Sequence, residues 1–599
     1  MKEVKETTVD NNRSLTIQEA DILLALQGQG CTTQRALAEA AGYSLGAVNN
    51  SLNGLLKKGY LNDSRDITDA AKKVMEERAP RNAIILAAGM GMRMVPINQS
   101  FPKAFVEIEG ERLIERQIKQ LREAGVYDIT IVVGFMKDSF EYLIDKYGVA
   151  LVYNQDYAIK NNLYSLRSVL DRLGNTYIVP CDIWCAENPF SMREMYSWYM
   201  VSTRQDIDSA VRVNRKKELV RVAEHACGNK MIGISYLMKP EADRIAGQIE
   251  KMTAEGRHEG DFWEAALFDG DRMFVNARVA SEEDVVEINT YEQLRELDAD
   301  SSQLQSDAIR SIMRALECRH DEIKDIAVLK KGMTNRSFVF TVRGDKYIMR
   351  IPGEGTNRLI DRKQEADVFK AISGLGLCDD PVYIKPEKGY KITKYLEGIR
   401  ACDPESESDL QRCMKKLRRF HSLKLKVDHE FDLFGHIEFY ETLWHGAPSI
   451  YQDYRTTKEN VMSLRRYIEE ADKDWCLTHI DAVPDNFLFY RTADSTEEHL
   501  QLTDWEYSGM QDPHVDLAMF CIYSLYDREQ CDHLIDIYFE NRCDRSTRVK
   551  IYCYIAVCGL LWSNWCEFKR QLGVEFGEYS LRQYHYAKEF YRYAKELMA

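Results

Sequence analysis

Two strings in this 599-residue chain bring together the residue types that polyphosphate chemistry needs. The first is Leu86-Ala87-Ala88-Gly89-Met90-Gly91-Met92-Arg93, followed downstream by Pro102-Lys103. Glycine lets a backbone approach phosphates closely and aim its N–H groups at them. Arg93 and Lys103 bring positive charge to the same place. The second string is His479-Ile480-Asp481-Ala482-Val483-Pro484-Asp485-Asn486, with Asp504-Trp505-Glu506-Tyr507 after it. That spacing lets one loop offer a base and a metal ligand to a terminal phosphate, while the later aspartate grips a bridging Mg2+.

The surrounding pattern says which elements must position these strings. Ala83-Ile84-Ile85-Leu86 reads as a short buried strand feeding a phosphate-binding turn. Alternation continues with a helix near 112–124, a strand at Ile129–Val133, a helix near 138–146 and a strand at Ala150–Tyr153. A mostly parallel α/β sheet is expected there, ending near Leu297. Asp298–Ser306 reads as a polar linker, and a helix near 307–318 follows. From Asp321 on, strand-like runs at Ile326–Leu329, Ser337–Val342 and Tyr347–Ile351 open a small β-rich lobe. After residue 405 the pattern turns helical and aromatic-rich, which is the layout of protein-kinase-like enzymes.

Ahead of both strings, apolar residues at helical spacing predict a helix over 17–28. Thr32 or Thr33 caps a second helix through Ala41, which Gly42 ends, and Ser44 caps a third through Lys58. Tyr60-Leu61 then starts a short extended piece. This order resembles a MarR-like winged helix-turn-helix. The expected architecture is therefore multidomain: a winged helix over 1–80, a Rossmann-like α/β domain over 81–300, and a two-lobed, protein-kinase-like α+β domain over 301–599.

Composition narrows the setting. Hydrophobic residues at 45% and charged residues at 29% suit a globular protein. A net charge of −15 repels nucleic acid at long range, so DNA contact would need a local basic patch. Fifteen scattered cysteines without CxxC spacing, and no apolar leader in Met1–Asn12, predict a reduced, cytoplasmic protein. No apolar run reaches the length of about 18 residues that a membrane span needs.

The first string resembles the LAAGxGxR…PK pattern of the sugar-nucleotidyltransferase superfamily. More narrowly it looks like the Lic-type CTP:phosphocholine cytidylyltransferases, through Val132-Val133-Gly134-Phe135, Asn154, Tyr157, Asn161 to Ser165, and Tyr177 to Asp182. The resemblance implies that Ala87, Ala88, Gly89, Gly91, Arg93 and Lys103 bind the nucleotide, with Arg93 and Lys103 also stabilising the transition state. It implies that Asp182 binds Mg2+. The family's second metal carboxylate lies in a Tyr-Trp-Asp string, matched here by Phe262-Trp263-Glu264; Glu264 departs from the pattern, and Asp261 is the alternative. Tyr164, Trp184, Phe262 and Trp263 are the aromatic candidates for holding a quaternary ammonium.

The second string resembles the aminoglycoside phosphotransferase and choline kinase superfamily. Asp504 to Tyr507, then Asp512-Pro513 and Asp516-Leu517-Ala518, point to its choline/ethanolamine kinase branch. By that resemblance Asp481 accepts the hydroxyl proton, while Asn486 and Asp504 bind Mg2+. Gly332, Thr334 and Asn335 match the nucleotide loop, Arg350 replaces the usual kinase lysine, and Glu365 pairs with it. Trp562 and Trp565 match the WxxW of choline kinases and fall on one helix face. With Tyr507 they are candidates for a trimethylammonium cage, which Tyr523, Tyr526, Tyr584 and Tyr586 could complete.

Together the resemblances imply a bifunctional enzyme that phosphorylates choline with ATP and couples phosphocholine to CTP, giving CDP-choline. The rival readings keep both folds but take ethanolamine, aminoethylphosphonate or a sugar, or make the chain a regulator sensing choline metabolites. On the third helix Asn49, Asn50, Ser51 and Asn53 are candidates for exposure to DNA, against which stands a dimerisation or docking role. A homodimer is one form of that role.

Overall fold

The computed structural model describes residues 14–28, 33–97, 101–223, 226–329, 335–352, 360–378, 380–491, 497–571, 574 and 576–599. The chain folds into two compact units, Met1–Arg310 and Ser311–Ala599.

The first unit opens with helices α1 (Ile17–Gln27), α2 (Gln34–Ala41), α3 (Leu45–Lys57) and α4 (Asp69–Arg78). Thr16, Thr33, Ser44 and Thr68 cap them by accepting a bond from a first-turn N–H. Thr33 rather than Thr32 is thus the cap of α2. Gly42 ends α2 at φ 68, a left-handed turn that glycine adopts without strain. Leu61 and Ile67 bridge to make a minimal wing. On α3, Asn49, Asn50 and Asn53 are exposed, but Ser51 is buried. The expected exposure of Ser51 fails because its position faces the same way as Val48, Leu52 and Leu55, which form the winged-helix core.

That small core is completed from outside the winged helix. Met195 is buried within it. Arg78 donates to the Met195 carbonyl at 2.7 Å, and Tyr196 donates to Asp21 of α1 at 2.8 Å. Tyr43 donates to the other oxygen of Asp21 at 2.6 Å.

The rest of this unit is built on a ten-stranded sheet. Its main strands are β1 (Asn82–Ala87), β2 (Asp128–Val133), β3 (Ala150–Tyr153), β4 (Thr176–Pro180), β5 (Trp198–Asp206), β6 (Val211–Val213), β7 (Glu218–Arg221), β8 (Gly228–Leu237) and β9 (Arg272–Ala280). They lie in the order β3-β2-β1-β4-β8-β5-β9-β7-β6. The first four are parallel, as expected. From β5 onward antiparallel pairs enter, because short turns replace helical crossovers. Helix α5 (Leu113–Glu123) covers one face with Ile114, Ile118 and Leu121. Helices α6 (Asn162–Arg167) and α7 (Lys239–Ala254) cover the other. β1, buried on both faces, delivers its C-terminal end to the glycine loop.

Asp298–Ser306 is more than a linker. Gln303 accepts from Glu107 N–H and donates to the Phe105 carbonyl, and Asp298 accepts from Glu109 N–H. These residues clasp the segment that carries Lys103.

The second unit opens with a five-stranded antiparallel sheet of β10 (Ile323–Val328), β11 (Asn335–Val342), β12 (Asp345–Pro352), β13 (Tyr383–Lys385) and β14 (Tyr390–Lys394). Their order is β10-β11-β12-β14-β13. Helix α8 (Arg362–Ile372) accompanies this sheet. A helical lobe follows, including α9 (His514–Tyr523), α10 (Arg545–Gln571) and α11 (Glu578–Met598). α10 is buried on nearly every side, and Gly559 lets α11 approach it closely: a Cβ there would stand 2.8 Å from Tyr586. Every described cysteine is a free thiol. Among the described residues no helix is long and apolar enough to cross a membrane.

Candidate active sites

In the first unit the glycine loop leaves β1 with Ala87 and Ala88 buried, and Gly91 takes φ 59. Arg93 follows in a single 3-10 turn with its side chain exposed. The Ala88 carbonyl accepts from Phe135 N–H at 3.0 Å. Gly134 beside it has no room for a side chain, since a Cβ would stand 2.7 Å from that carbonyl and 2.6 Å from Tyr157. Lys103 is buried and donates to Asp182 and, at 2.6 Å, to Asn289 Oδ1. Asp182 follows β4 directly, so the sheet places the lysine–aspartate pair at the same end as the loop.

Glu264 is the other carboxylate here. Tyr199 of β5 donates to its Oε1 at 3.2 Å, while Oε2 is buried with no hydrogen-bond partner. Burial pushes its carboxyl up to about 7, and Glu287 and Asp182 push the same way. A buried carboxylate with an open oxygen near two more acids suits a divalent cation, which prefers hard oxygen donors. Asp261 does not compete for that role in this arrangement. It is half-exposed and pairs with His258 at 2.6 Å.

The aromatic candidates separate. Tyr164 is buried with Lys160 over its ring at 4.4 Å. Trp184 has Arg116 over its ring, Trp263 is wholly buried against Tyr199, and Phe262 is exposed. Trp263 N–H donates to Asn162 Oδ1 at 2.8 Å, which ties the Glu264 turn to the start of α6.

In the second unit, the loop from His479 to Asn486 is held from below by Asp516 of α9. Its carboxylate accepts from the N–H groups of His479 and Ile480 at 3.1 and 2.7 Å, and from His421 at 2.9 Å. Asn486 donates to the Asp481 carbonyl and to Asp481 Oδ2, at 2.8 and 3.1 Å. Burial pushes the Asp481 carboxyl up to about 8, with Asp504 and then Glu506 adding repulsion. Such a set of buried acids is what a bound cation would relieve. Asp504 itself sits at φ 63.

Arg350 grips Glu365 through both guanidinium nitrogens, one of them at 2.6 Å. Against a burial that would raise it, Arg350, Lys391 and Arg362 hold the Glu365 carboxyl down to about 2. Gly332 and Thr334, expected in the nucleotide loop, lie outside the described residues; Asn335 opens β11.

Trp562 and Trp565 do meet on one face of α10, with ring centroids 5.5 Å apart. Tyr507 stands edge-on to Trp562 at 5.9 Å. Beyond Trp565 the rings continue through Phe576 and Tyr579 to Tyr523, which donates to Asp485 of the catalytic loop at 2.6 Å. Phe576 and Tyr579 are missing from the sequence reading. An aromatic residue at a helix start carries no signal of its own. The other tyrosines proposed for the cage serve elsewhere. Tyr584 stacks on Tyr451 and bonds Asp453, Tyr586 donates to the Tyr526 carbonyl, and Tyr526 donates to the Pro404 carbonyl.

Among the described residues no cluster of three His, Cys, Asp or Glu stands ready to hold a metal alone. The open Oε2 of Glu264 in one site and the mutually repelling Asp481 and Asp504 in the other are oxygen donors that fit a cation shared with substrate phosphates.

These are the sites of a nucleotidyltransferase and a kinase on one chain. Family models agree: residues 14–70 match the MarR family, 83–227 the MobA-like NTP transferase domain, and 326–555 choline/ethanolamine kinase. Choline-phosphate cytidylyltransferase of Streptococcus pneumoniae is 34% identical over 220 residues, which are 36% of this chain and 96% of the relative. 2-Aminoethylphosphonate cytidylyltransferase of Lancefieldella rimae is 35% identical over 190 residues, 31% of this chain and 77% of the relative. Protein LicA of Haemophilus influenzae is 28% identical over 265 residues, 42% of this chain and 96% of the relative. The chain belongs to the choline-phosphate cytidylyltransferase family and carries a choline/ethanolamine kinase domain and a MarR-family domain beside it.

Proposed function

We propose that the chain converts choline to CDP-choline in two steps. The observation that carries this reading is the run of aromatic rings from Tyr507 through Trp562, Trp565, Phe576 and Tyr579 to Tyr523, ending on the loop that holds Asp481. Aromatic faces attract a quaternary ammonium. A cation seated against them carries its hydroxyl toward Asp481.

In the kinase step, Asp481 takes the hydroxyl proton as the oxygen attacks the γ-phosphorus of ATP, and ADP leaves. Asn486, which donates to Asp481 Oδ2, directs its carboxylate for that task. Arg350, held by Glu365, faces the nucleotide phosphates. In the transferase step, a phosphocholine oxygen attacks the α-phosphorus of CTP and pyrophosphate leaves. Both reactants are anions, so Arg93, Lys103 and the loop N–H groups from Ala87 to Gly91 offset their repulsion. Bound Mg2+, held by Asp182 and Glu264 in one site and by Asn486 and Asp504 in the other, would supply further charge neutralisation.

The three parts span 1–80, 81–300 and 301–599 in this reading, and free thiols among the described residues suit the cytoplasm. For the winged helix a docking role is favoured by Asp21, which binds Tyr196, and by Met195, which completes its core. Asn49, Asn50 and Asn53 mark the face through which the competing DNA reading would act.

Asp182→Ala and Asp481→Ala test the division of labour. With choline, ATP, CTP and Mg2+, Asp182→Ala is expected to accumulate phosphocholine, and Asp481→Ala to leave choline unreacted. CDP-choline formed at wild-type rate by either variant would refute the assignment of its step.

A further inference from the structure

Arg362, the first residue of α8, has no counterpart in the sequence reading. Its charge is buried, with 6% of the side chain exposed, and a buried guanidinium is costly unless paired. Nη1 of Arg362 donates to Glu365 Oε2, one turn along α8, and to Glu506 Oε2, each at 3.1 Å. Glu506 stands two residues beyond Asp504. The left-handed backbone of Asp504 is one that a non-glycine residue keeps only where its surroundings fix it. Arg350 of β12 holds Glu365 as well and lies 3.8 Å from Glu506. One guanidinium thus joins the helix bearing Glu365 to the loop bearing Asp504. Gly389 makes the room: a Cβ there would stand 2.4 Å from Pro352 and 3.3 Å from the Arg362 stem.

We propose that Arg362 is a positioning residue of the phosphotransfer step, tying α8 to the Asp504 loop through Glu506, so that Arg350 and Asp504 meet the nucleotide phosphates as one preassembled unit. The inference rests on the kinase reading and deepens it. Arg362 acts through its two carboxylate partners and touches no reacting atom. Both bonds leave Nη1, which the rigid guanidinium plane holds between the two acceptors.

The test uses the full chain with Arg362→Met, Arg362→Lys, Glu506→Gln and the double variant R362M/E506Q. Choline phosphorylation is followed against ATP and against free Mg2+. Nucleotide affinity is measured by calorimetry with and without Mg2+. The CTP-dependent step and the melting curve come from the same preparation. Arg362→Met is expected to raise the KM for ATP and the half-saturating Mg2+ about tenfold, lower kcat by ~10–100-fold, and weaken ATP binding chiefly when Mg2+ is present. The CTP-dependent step stays unchanged. The double variant is expected to lose less than the product of the two single losses, since Arg362 and Glu506 share one bond. Unchanged ATP and Mg2+ dependences with a lower melting temperature would make Arg362 purely structural and overturn the proposal, as would losses that multiply in the double variant. If Arg362→Met does not melt cooperatively, Arg362→Lys decides by the same Mg2+ dependence. Wild-type protein that leaves choline unphosphorylated is a separate outcome, and it removes the kinase reading itself.

Discussion

Asp481 shows how much one residue owes to its setting. Burial and the nearby Asp504 and Glu506 raise its carboxyl to about 8, while Asn486 fixes its direction. Asp481→Asn keeps the shape and the Asn486 contact but cannot accept a proton. It is expected to lower kcat for phosphorylation by ~10²–10⁴-fold with little change in ATP binding, read by steady-state kinetics and calorimetry. The residues proposed to carry chemistry are readable as candidates, because each sits in a short string: Lys103 after Pro102, Asp481 and Asn486 in one loop, Asp504 in the next. Their supports are not. Asn289 meets Lys103 from 186 positions away, and His421 reaches Asp516 across 95. Arg362 meets Glu506 across 144. No local pattern links such pairs.

At the scale of elements, close approach is the recurring device. Gly134 follows β2 against the Ala88 carbonyl and Tyr157, so Gly134→Ala must displace one of them. The expected result is a CTP KM raised about tenfold with choline phosphorylation unchanged, checked by assaying both steps on one preparation. In the helical lobe, Gly559 sets the spacing of α10 and α11. Gly559→Leu overpacks that contact and is expected to cost about 1–3 kcal/mol of stability, measured by denaturant unfolding. Strands and helices up to β3 were readable from periodicity, since each buried strand or amphipathic helix announces itself. The second half of the sheet was not. Whether strands run parallel there depends on partners chosen across the sheet, as where β9 inserts beside β5. The linker reading failed in part for a similar reason: Asp298 and Gln303 are polar, yet they are spent on backbone groups of the Lys103 segment.

For the whole molecule, acid sensitivity follows from a buried histidine. His514, at the start of α9, is buried against Phe539, and burial pushes its pKa down from the ordinary 6.5 to about 4. Between those values the unfolded chain binds the proton that the folded unit refuses, so the contribution of His514 to stability rises with pH in that window, opposite in sign to those of Asp481 and Glu264. It is therefore lost as pH falls from about 6.5 toward 4, by on the order of 3 kcal/mol. His514→Phe should flatten that slope in denaturant titrations of the full chain, and an unchanged slope would place the acid sensitivity elsewhere. The three-part organisation was readable from changes of rhythm along the chain. That Met195, from the loop before β5, completes the winged-helix core was not, because nothing local marks a methionine as belonging to a distant core.

The central claim is that one chain carries choline to CDP-choline. The most direct measurement is a product time course with ATP, CTP and Mg2+, run with choline, ethanolamine or 2-aminoethylphosphonate as the acceptor. Choline is expected to be consumed fastest, with phosphocholine appearing first and CDP-choline following. CDP-choline absent from the choline reaction, while ethanolamine is converted to CDP-ethanolamine or 2-aminoethylphosphonate to its CMP conjugate, would contradict the claim.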